Sequence, residues 1–367
     1  MAAAAQGLQR LKAMFPFIKA PLVISAPMRV FAGPALAVAV SRAGGLGFIG
    51  PGVRPTDLDA KLHEARALLR ANPVNPGATA SHLSDRLPVG VGFQLFDGDL
   101  SLAAAAVAKH RPVAAWLFVP ANGQRDVDAW ASRIREASTG IQIWLQVGSV
   151  AEAVAAAASS HAPDVLVLQG SDAGGHGLKR GAGVTALLPE VADALAEAGH
   201  AQIPLVGAGG IADGRGVAAA LATGTAAGAA IGTRFLASHE ADIPPGYQQD
   251  VLRVADGGQS TVRTTLFDRL QGRDDWPAAY DGRAIVNASV RDDEVGMPVA
   301  QNKELFRGRQ QQPTTTGRDG WGPDGRLTAY VGSAVGLVRT VDAAEDIVRG
   351  IRAQAREALT AAAKALV

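Results

Sequence analysis

Val165-Leu-Val-Leu-Gln-Gly-Ser-Asp-Ala-Gly-Gly-His-Gly177 is an apolar run that feeds straight into a glycine-rich loop carrying one histidine, His176. A short continuous apolar run closed by glycine reads as a strand buried on both faces. Glycine permits the sharp bend and the close approach of backbone to a ligand. Histidine is the usual side chain for moving a proton near neutral pH. The same strand-to-glycine unit recurs at Ile203-Pro-Leu-Val-Gly-Ala-Gly-Gly210 and at Ala226-Ala-Gly-Ala-Ala-Ile-Gly-Thr233. Three such loops on successive strands predict a site for a phosphorylated cofactor beside a proton-transfer group.

On either side of this stretch, apolar runs alternate with alanine-rich segments of helical period. Strands are expected at Leu22–Met28, Leu46–Ile49, Pro88–Gln94, Val113–Val119, Ile141–Val147, Val165–Gln169, Ile203–Ala208 and Ala226–Ile231. Helices are expected near Pro34–Ala43, Pro55–Arg70, Leu100–His110, Asp126–Ala137, Val150–Ser160, Val184–Ala198 and Gly214–Ala222. Eight strand-helix units in roughly 230 residues match an α/β fold of the TIM (β/α)8 barrel type; a doubly wound open sheet is the rival.

The alternation breaks after Thr233. The section from His239 to Tyr330 is rich in Gly, Pro, Gln, Arg and Asp, and Gln310-Gln-Gln-Pro-Thr-Thr-Thr316 reads as a loop. It stands where the eighth barrel helix should begin, so it reads as a long insertion after strand 8. Val341–Leu366, alanine-rich with one charged face, supplies the final helix. The expected organisation is a cofactor-binding barrel from 1–238 plus 331–367, with 239–330 lying over its mouth.

Composition narrows the function classes. The chain has 367 residues, 48% of them hydrophobic, a net charge of +1 and no cysteine. Near-neutral charge gives no support for a nucleic-acid or membrane-surface partner. The lack of cysteine removes disulfides, thiolate metal sites and thiol nucleophiles. The Met1-Ala-Ala-Ala-Ala-Gln start lacks the pattern of a secretory signal, and no apolar run is long enough to span a bilayer. The chain reads as soluble and cytoplasmic, with no metal site.

Two segments match the dinucleotide fingerprint formally. In Gly45-Leu-Gly-Phe-Ile-Gly50 the glycines lie within and around a strand, and Pro51-Gly52 follows instead of a helix. Gly207-Ala-Gly-Gly-Ile-Ala212 follows a strand, but no acidic residue stands about twenty positions on to hold a ribose. Gly209-Gly210 and Gly232-Thr233 carry more weight, because loops after strands 7 and 8 commonly form a barrel's phosphate site. The bland alternative is tight turns with no ligand. For His176 it is a histidine that satisfies local backbone groups; its place past a strand's C-terminal end favours catalysis. Asp172 either orients the loop or caps a helix. His63, His82, His110, His161, His200 and His239 lack such context and read as surface residues.

These loops resemble the nitronate monooxygenase family, also called 2-nitropropane dioxygenases, which are FMN-dependent TIM-barrel flavoenzymes. The resemblance runs from about Pro21 to Ala344. Its most specific element is Gln169-Gly-Ser-Asp-Ala-Gly-Gly-His-Gly177, close to the family's Gln-Gly-x-Glu-Ala-Gly-Gly-His. Val206-Gly-Ala-Gly-Gly-Ile-Ala-Asp-Gly214 and Ile231-Gly-Thr-Arg-Phe-Leu236 come next, then Ala26-Pro-Met28 and Gly44-Gly-Leu-Gly47. Thr261-Val-Arg-Thr-Thr-Leu-Phe267 and Tyr280-Asp-Gly-Arg-Ala-Ile285 look like segments of longer family members.

The resemblance implies non-covalent FMN and assigns positions to it. Met28 should contact the flavin from the first strand, Gln94 from the end of strand 3 and Gln146 from the end of strand 5. Gly174 and Gly175 belong to the cofactor-side loop. Gly209, Gly210, Gly232 and Thr233 should hold the phosphate, and His176 falls on the catalytic histidine. Gly332-Ser-Ala-Val-Gly-Leu337 departs from the family's Gly-Gln-x-x-Gly-Leu, so Ser333 takes the place of a substrate-binding amide. Asp172 replaces the commoner glutamate. The implied activity is oxidation of alkyl nitronates, and by extension nitroalkanes, by O2 to a carbonyl compound and nitrite. The implied partners are a small nitronate and O2, with a homodimer as the candidate assembly. The nearest alternative is an FMN-dependent enoyl-thioester reductase using NAD(P)H. An inosine-monophosphate-dehydrogenase-like barrel is disfavoured because it needs a cysteine nucleophile. A non-catalytic barrel scaffold is the alternative from another class.

Overall fold

The computed structural model describes residues 2–50, 57–74, 85–311 and 319–366. Pro51-Gly52, Pro55, His82 and the Gln312–Thr316 part of the expected loop lie outside the described residues. The strands, in chain order, are β1 (Val23–Ser25), β2 (Leu46–Ile49), β3 (Leu87–Gln94), β4 (Pro112–Phe118), β5 (Gln142–Val147), β6 (Val165–Gln169), β7 (Gly175–Leu178), β8 (Leu205–Ala208), β9 (Ala226–Ile231), β10 (Thr261–Thr264) and β11 (Tyr280–Ile285).

Eight of these close a parallel barrel in the order β1-β2-β3-β4-β5-β6-β8-β9. Ser25 pairs with Gly47 on one side and with Ile231 on the other, which joins the last barrel strand to the first. The fold is a TIM barrel, as the alternation predicts, and the open-sheet rival is set aside. β1, β2 and β9 are buried along their whole length. Their sequences carry no polar face because helices cover the outside while side chains fill the inside.

The barrel interior is packed with aromatic rings. Phe48 and Trp116 meet edge to face at 5.0 Å, and Trp144 lies 5.2 Å from Phe48. Gly90 is required beneath them: a Cβ there would fall 2.2 Å from the Phe48 ring. Phe15 closes this cluster at 6.1 Å from Trp144. It follows a helix, Ala2–Met14, that the sequence reading did not anticipate. Gly7 of that helix packs on Pro204 and Ala227, so the helix crosses the N-terminal ends of β8 and β9.

Among the described residues, four helices begin at a side chain that accepts from their first amides: Asp99, Ser149, Asp213 and Asn287. Asp99 accepts from the Leu102 N–H at 2.9 Å to start Leu100–His110, and Asp213 accepts from the Arg215 and Gly216 amides to start Gly214–Ala222. These bonds satisfy amides that have no partner within the helix. The closing helix, Ala344–Lys364, is tied to the barrel by Arg352. Its buried guanidinium donates to the carbonyls of Pro21 (3.2 Å), Ala43 (3.0 Å) and Gly44 (3.0 Å).

Two readings are corrected here. His176 sits in a strand, not a loop: β7 pairs antiparallel with β11, His176 opposite Gly282, and β11 pairs with β10. Gly-His-Gly-Leu has no strand propensity of its own, and its partner lies about a hundred residues later. His110 is buried, not superficial, and its Nε2 lies 2.8 Å from Asp59 Oδ1 of the neighbouring helix Asp57–Ala71. His63 and His239 are exposed, and His161 and His200 are half-buried.

The section from 239 to 330 carries β10, β11 and helices that include Pro245–Arg253, Leu266–Gln271, Ala288–Glu294 and Val299–Gln311. It has an apolar nucleus of its own in Leu266, Phe267, Leu270, Ala284, Val290 and Phe306. A second cluster, with Tyr247, Val251 and Val254, joins it to Leu236, Val331 and Val335.

Candidate active site

Parallel strands in a closed barrel present their C-terminal ends on one rim, and that rim opens into a cavity of about 730 Å³. This falls within the range of small-molecule and cofactor pockets. Met28 enters from the segment after β1, Gln94 from the end of β3 and Gln146 from β5. Gly174, Gly175 and His176 follow β6; Gly209 and Gly210 follow β8; Gly232 and Thr233 follow β9. Ten residues singled out from sequence thus line one cavity.

The glycine turns have the backbone form of an anion cradle. Gly209 and Gly210 both have positive φ, +98° and +70°, and successive turns of this kind point amides into a common concavity. Gly232 precedes the short turn of helix Thr233–Leu236, and a Cβ there would have only Met28 Sδ, at 3.8 Å, within contact range. The Thr233 hydroxyl accepts from the Gly332 N–H at 2.9 Å, which leaves its own hydrogen to donate. Opposite these turns, Gln146 Oε1 accepts from Trp116 Nε1 at 3.0 Å. That bond orients the amide and turns its NH2 to other use.

Ser333 stands apart. Its hydroxyl donates to Asp172 Oδ1 at 2.7 Å and its N–H to the Asp172 carbonyl at 3.0 Å, while Gly332 and Ala334 line the cavity. Ser333 itself is not among the residues that line the cavity. Ser333 ties the β6–β7 loop to the chain's return. Asp172 orients that loop and does not cap a helix; Asp213 does the capping.

His176 meets groups that no local pattern announced. Its Nε2 lies 2.9 Å from Asp268 Oδ1 and 3.1 Å from Oδ2. Trp276 stacks on the imidazole, and the Tyr330 ring lies 5.2 Å away. The Tyr330 hydroxyl donates to Asp268 Oδ1 at 3.3 Å. Burial, reinforced by the Asp268 charge, holds that phenol well above its ordinary value. Asp268, Trp276 and Tyr330 all come from the 239–330 section and line the cavity. The family-like stretch Thr261–Phe267 ends one residue before Asp268, which was the nearest sequence cue.

The charged lining is mainly cationic. Arg29 and Arg273 reach the cavity, against Asp268 as its acidic member among the described residues. Arg273 pairs with Asp97 at 2.7 Å and lies over the Phe96 and Trp276 rings. Burial, with Asp275 nearby, raises the Asp97 carboxyl. A cradle of glycine amides, a cationic rim and an imidazole held by a carboxylate can bind an anionic cofactor and move a proton at its edge.

Comparison with known proteins points to one family. A family profile described as nitronate monooxygenase matches residues 121–305. A nitronate monooxygenase of Metarhizium robertsii is 55% identical over 353 residues, covering 96% of each chain. One of Neurospora crassa is 37% identical over 95% of this chain and 93% of its own. Among solved structures, FabK from Thermotoga maritima superposes with a TM-score of 0.72 over 97% of this chain and 98% of that one. At 24% identity this likeness shows the barrel fold alone. Among the described residues, no helix is long and apolar enough to cross a membrane.

Proposed function

The chain belongs to the nitronate monooxygenase family of flavin-dependent oxidoreductases, and from that premise we propose that it binds FMN and oxidises alkyl nitronates with O2 to a carbonyl compound and nitrite. The observation that carries this reading is the meeting of the two glycine cradles and His176 on one cavity at the C-terminal rim. The cradle after β8 and β9 suits a terminal monophosphate: Gly209, Gly210 and Gly232 would give amides and Thr233 a hydroxyl. Met28, Gln94, Gly174, Gly175 and the Gln146 NH2 would hold the ring system. When bound, the flavin supplies the electron acceptor for substrate and the donor to O2.

The chain's own part is position, charge and proton control. Arg29 and Arg273, which share Asp97 as a partner at 3.7 and 2.7 Å, would offer N–H donors to an anionic substrate at the cavity rim. His176 would take the α proton when the substrate arrives as a neutral nitroalkane, and would stabilise the anion when it arrives as a nitronate. Trp276, Phe96 and Tyr330 keep bulk water from the imidazole.

Two measurements test the reading. Purified protein should show a flavin absorbance spectrum, with FMN as the species released on denaturation, and should form nitrite from alkyl nitronates in air. Fast anaerobic bleaching by NADPH, without nitrite formation, would transfer the assignment to an enoyl-thioester reductase. A colourless protein that takes up no flavin would end it.

A further inference from the structure

We propose that Asp268 is the positioning residue of proton transfer: it fixes His176 as the Nε2–H tautomer and leaves Nδ1 as the nitrogen that meets the substrate. This deepens the reading above and rests on it.

Asp268 is 5% exposed on helix Leu266–Gln271, 92 residues from His176 in sequence. Both carboxylate oxygens lie within hydrogen-bond distance of Nε2. An ionised carboxylate can only accept, so Nε2 must carry the hydrogen, and a neutral imidazole then has its lone pair on Nδ1. Nδ1 makes no hydrogen bond among the described residues, while His176 lines the cavity. The Tyr330 phenol, protonated for the reasons given, donates to the same carboxylate and fixes its orientation.

Ring rotation is opposed from two further sides. Trp276 covers the imidazole face, and the His176 backbone is held by its pairing with Gly282 and by the Gln169 amide, which donates to its carbonyl at 3.1 Å. A ring flip would exchange the charge-assisted bond for a C–H contact. With a neutral nitroalkane, Nδ1 forms a bond to the α proton as the C–H bond breaks. The electron pair passes to the nitro group, giving the nitronate anion, and the new imidazolium is balanced by Asp268.

The decisive measurement is the tautomer. Long-range 1H–15N correlation on 15N-histidine-labelled holoprotein at about pH 8, where an ordinary histidine is neutral, should show, in addition to His110, whose Nε2 also meets a carboxylate, that of Asp59, His176 fixed as Nε2–H. Loss of that signal in His176→Asn assigns it among the seven histidines. An Nδ1–H signature or a tautomer average in the wild type overturns the proposal, and this holds whether or not any Asp268 variant folds. In Asp268→Asn, the amide NH2 can face Nε2 while its oxygen keeps Tyr330, so the Nε2–H signature should vanish. kcat/KM on a neutral nitroalkane should then fall about 10²- to 10⁴-fold, the range for losing a positioned base, while preformed nitronate loses less than about tenfold. Equal losses on both substrate forms, or none on the nitroalkane, would sink it. The tautomer is read without turnover, so a correct tautomer with no nitrite formation would discredit the proposed function instead.

Discussion

Trp276 lies flat against His176, with ring centroids 3.5 Å apart and planes 3° from parallel. Phe96 packs on the same indole at 4.6 Å, and the Arg273 guanidinium lies over it at 5.5 Å. The imidazole is therefore held by rings from the 239–330 section, although it belongs to β7, which follows the barrel strand β6. Such aromatic contacts contribute about 0.5–1.5 kcal/mol beyond the area they bury. If they serve to aim the imidazole, Trp276→Ala should lower kcat by about two- to tenfold, that energy expressed as a rate, while Trp276→Phe keeps most of it. A Trp276→Ala enzyme with unchanged kcat would reduce the stack to simple packing.

His176→Asn should keep the flavin and the fold, because β7 is held by backbone pairing with β11 and asparagine fits the space. Activity on neutral nitroalkanes should fall about 10²- to 10⁴-fold, with a smaller loss on preformed nitronates. Steady-state kcat/KM for both forms in the flavin-loaded variant checks this. Near-wild-type rates on both would make the histidine structural.

Gly232 and Gly209 should respond differently to a side chain. At Gly232 the backbone is unstrained and the space open, so Gly232→Val should fold with a normal Tm yet purify largely without flavin. At Gly209 a Cβ would lie 2.8 Å from the Gly170 carbonyl, with φ at +98°. Gly209→Ala should therefore lose both flavin and about 1–3 kcal/mol of stability. Flavin-to-protein absorbance ratios and thermal melts separate the two effects. Full occupancy in Gly232→Val would argue against the phosphate assignment.

Arg352 closes the barrel without a carboxylate partner in its bonds, through three backbone carbonyls. Burial pulls its guanidinium below its ordinary value, so part of its worth is offset by desolvation. Arg352→Met leaves those carbonyls without this donor, which costs about 1–3 kcal/mol for each one that finds no substitute. We expect a drop of several degrees in Tm with unchanged kcat below the melt. A loss of activity at full fold would implicate this helix in the site.

All three tyrosines of the chain, Tyr247, Tyr280 and Tyr330, have phenols raised by burial above the ordinary value of 10.0. The sign follows from linkage: between the unfolded and folded values, the unfolded chain has lost these protons and the native chain keeps them. Stability is therefore whole below about pH 10 and falls as pH rises beyond it, by about 1.4 kcal/mol per tyrosine per pH unit. Tyrosinate absorbance near 295 nm should appear only together with loss of far-ultraviolet circular dichroism. Phenolate appearing in a still-folded protein would contradict this.

The barrel was legible because its signal is local. Each strand is a short apolar run, each helix a 3.6-residue period, and the sharp strand ends are marked by glycine. β2, β6 and β9 match the expected ranges to the residue. The glycine cradles were legible for the same reason: a turn of positive φ is written in one or two adjacent letters. The order of strands then obliges their C-terminal ends to share a rim, so Met28, Gln94, Gln146 and His176 converge without any contact being known. Contacts between distant segments were not legible. Nothing near Asp268 marks it as the partner of a histidine 92 residues earlier, and nothing in Gly-His-Gly-Leu announces a strand. Nothing near Ser333 announces that its hydroxyl donates to Asp172, 161 residues earlier. Backbone conformation is set by neighbours within a few residues, and sequence records it. The partner of a buried polar atom is set by which elements pack together in space, and that only the tertiary structure decides.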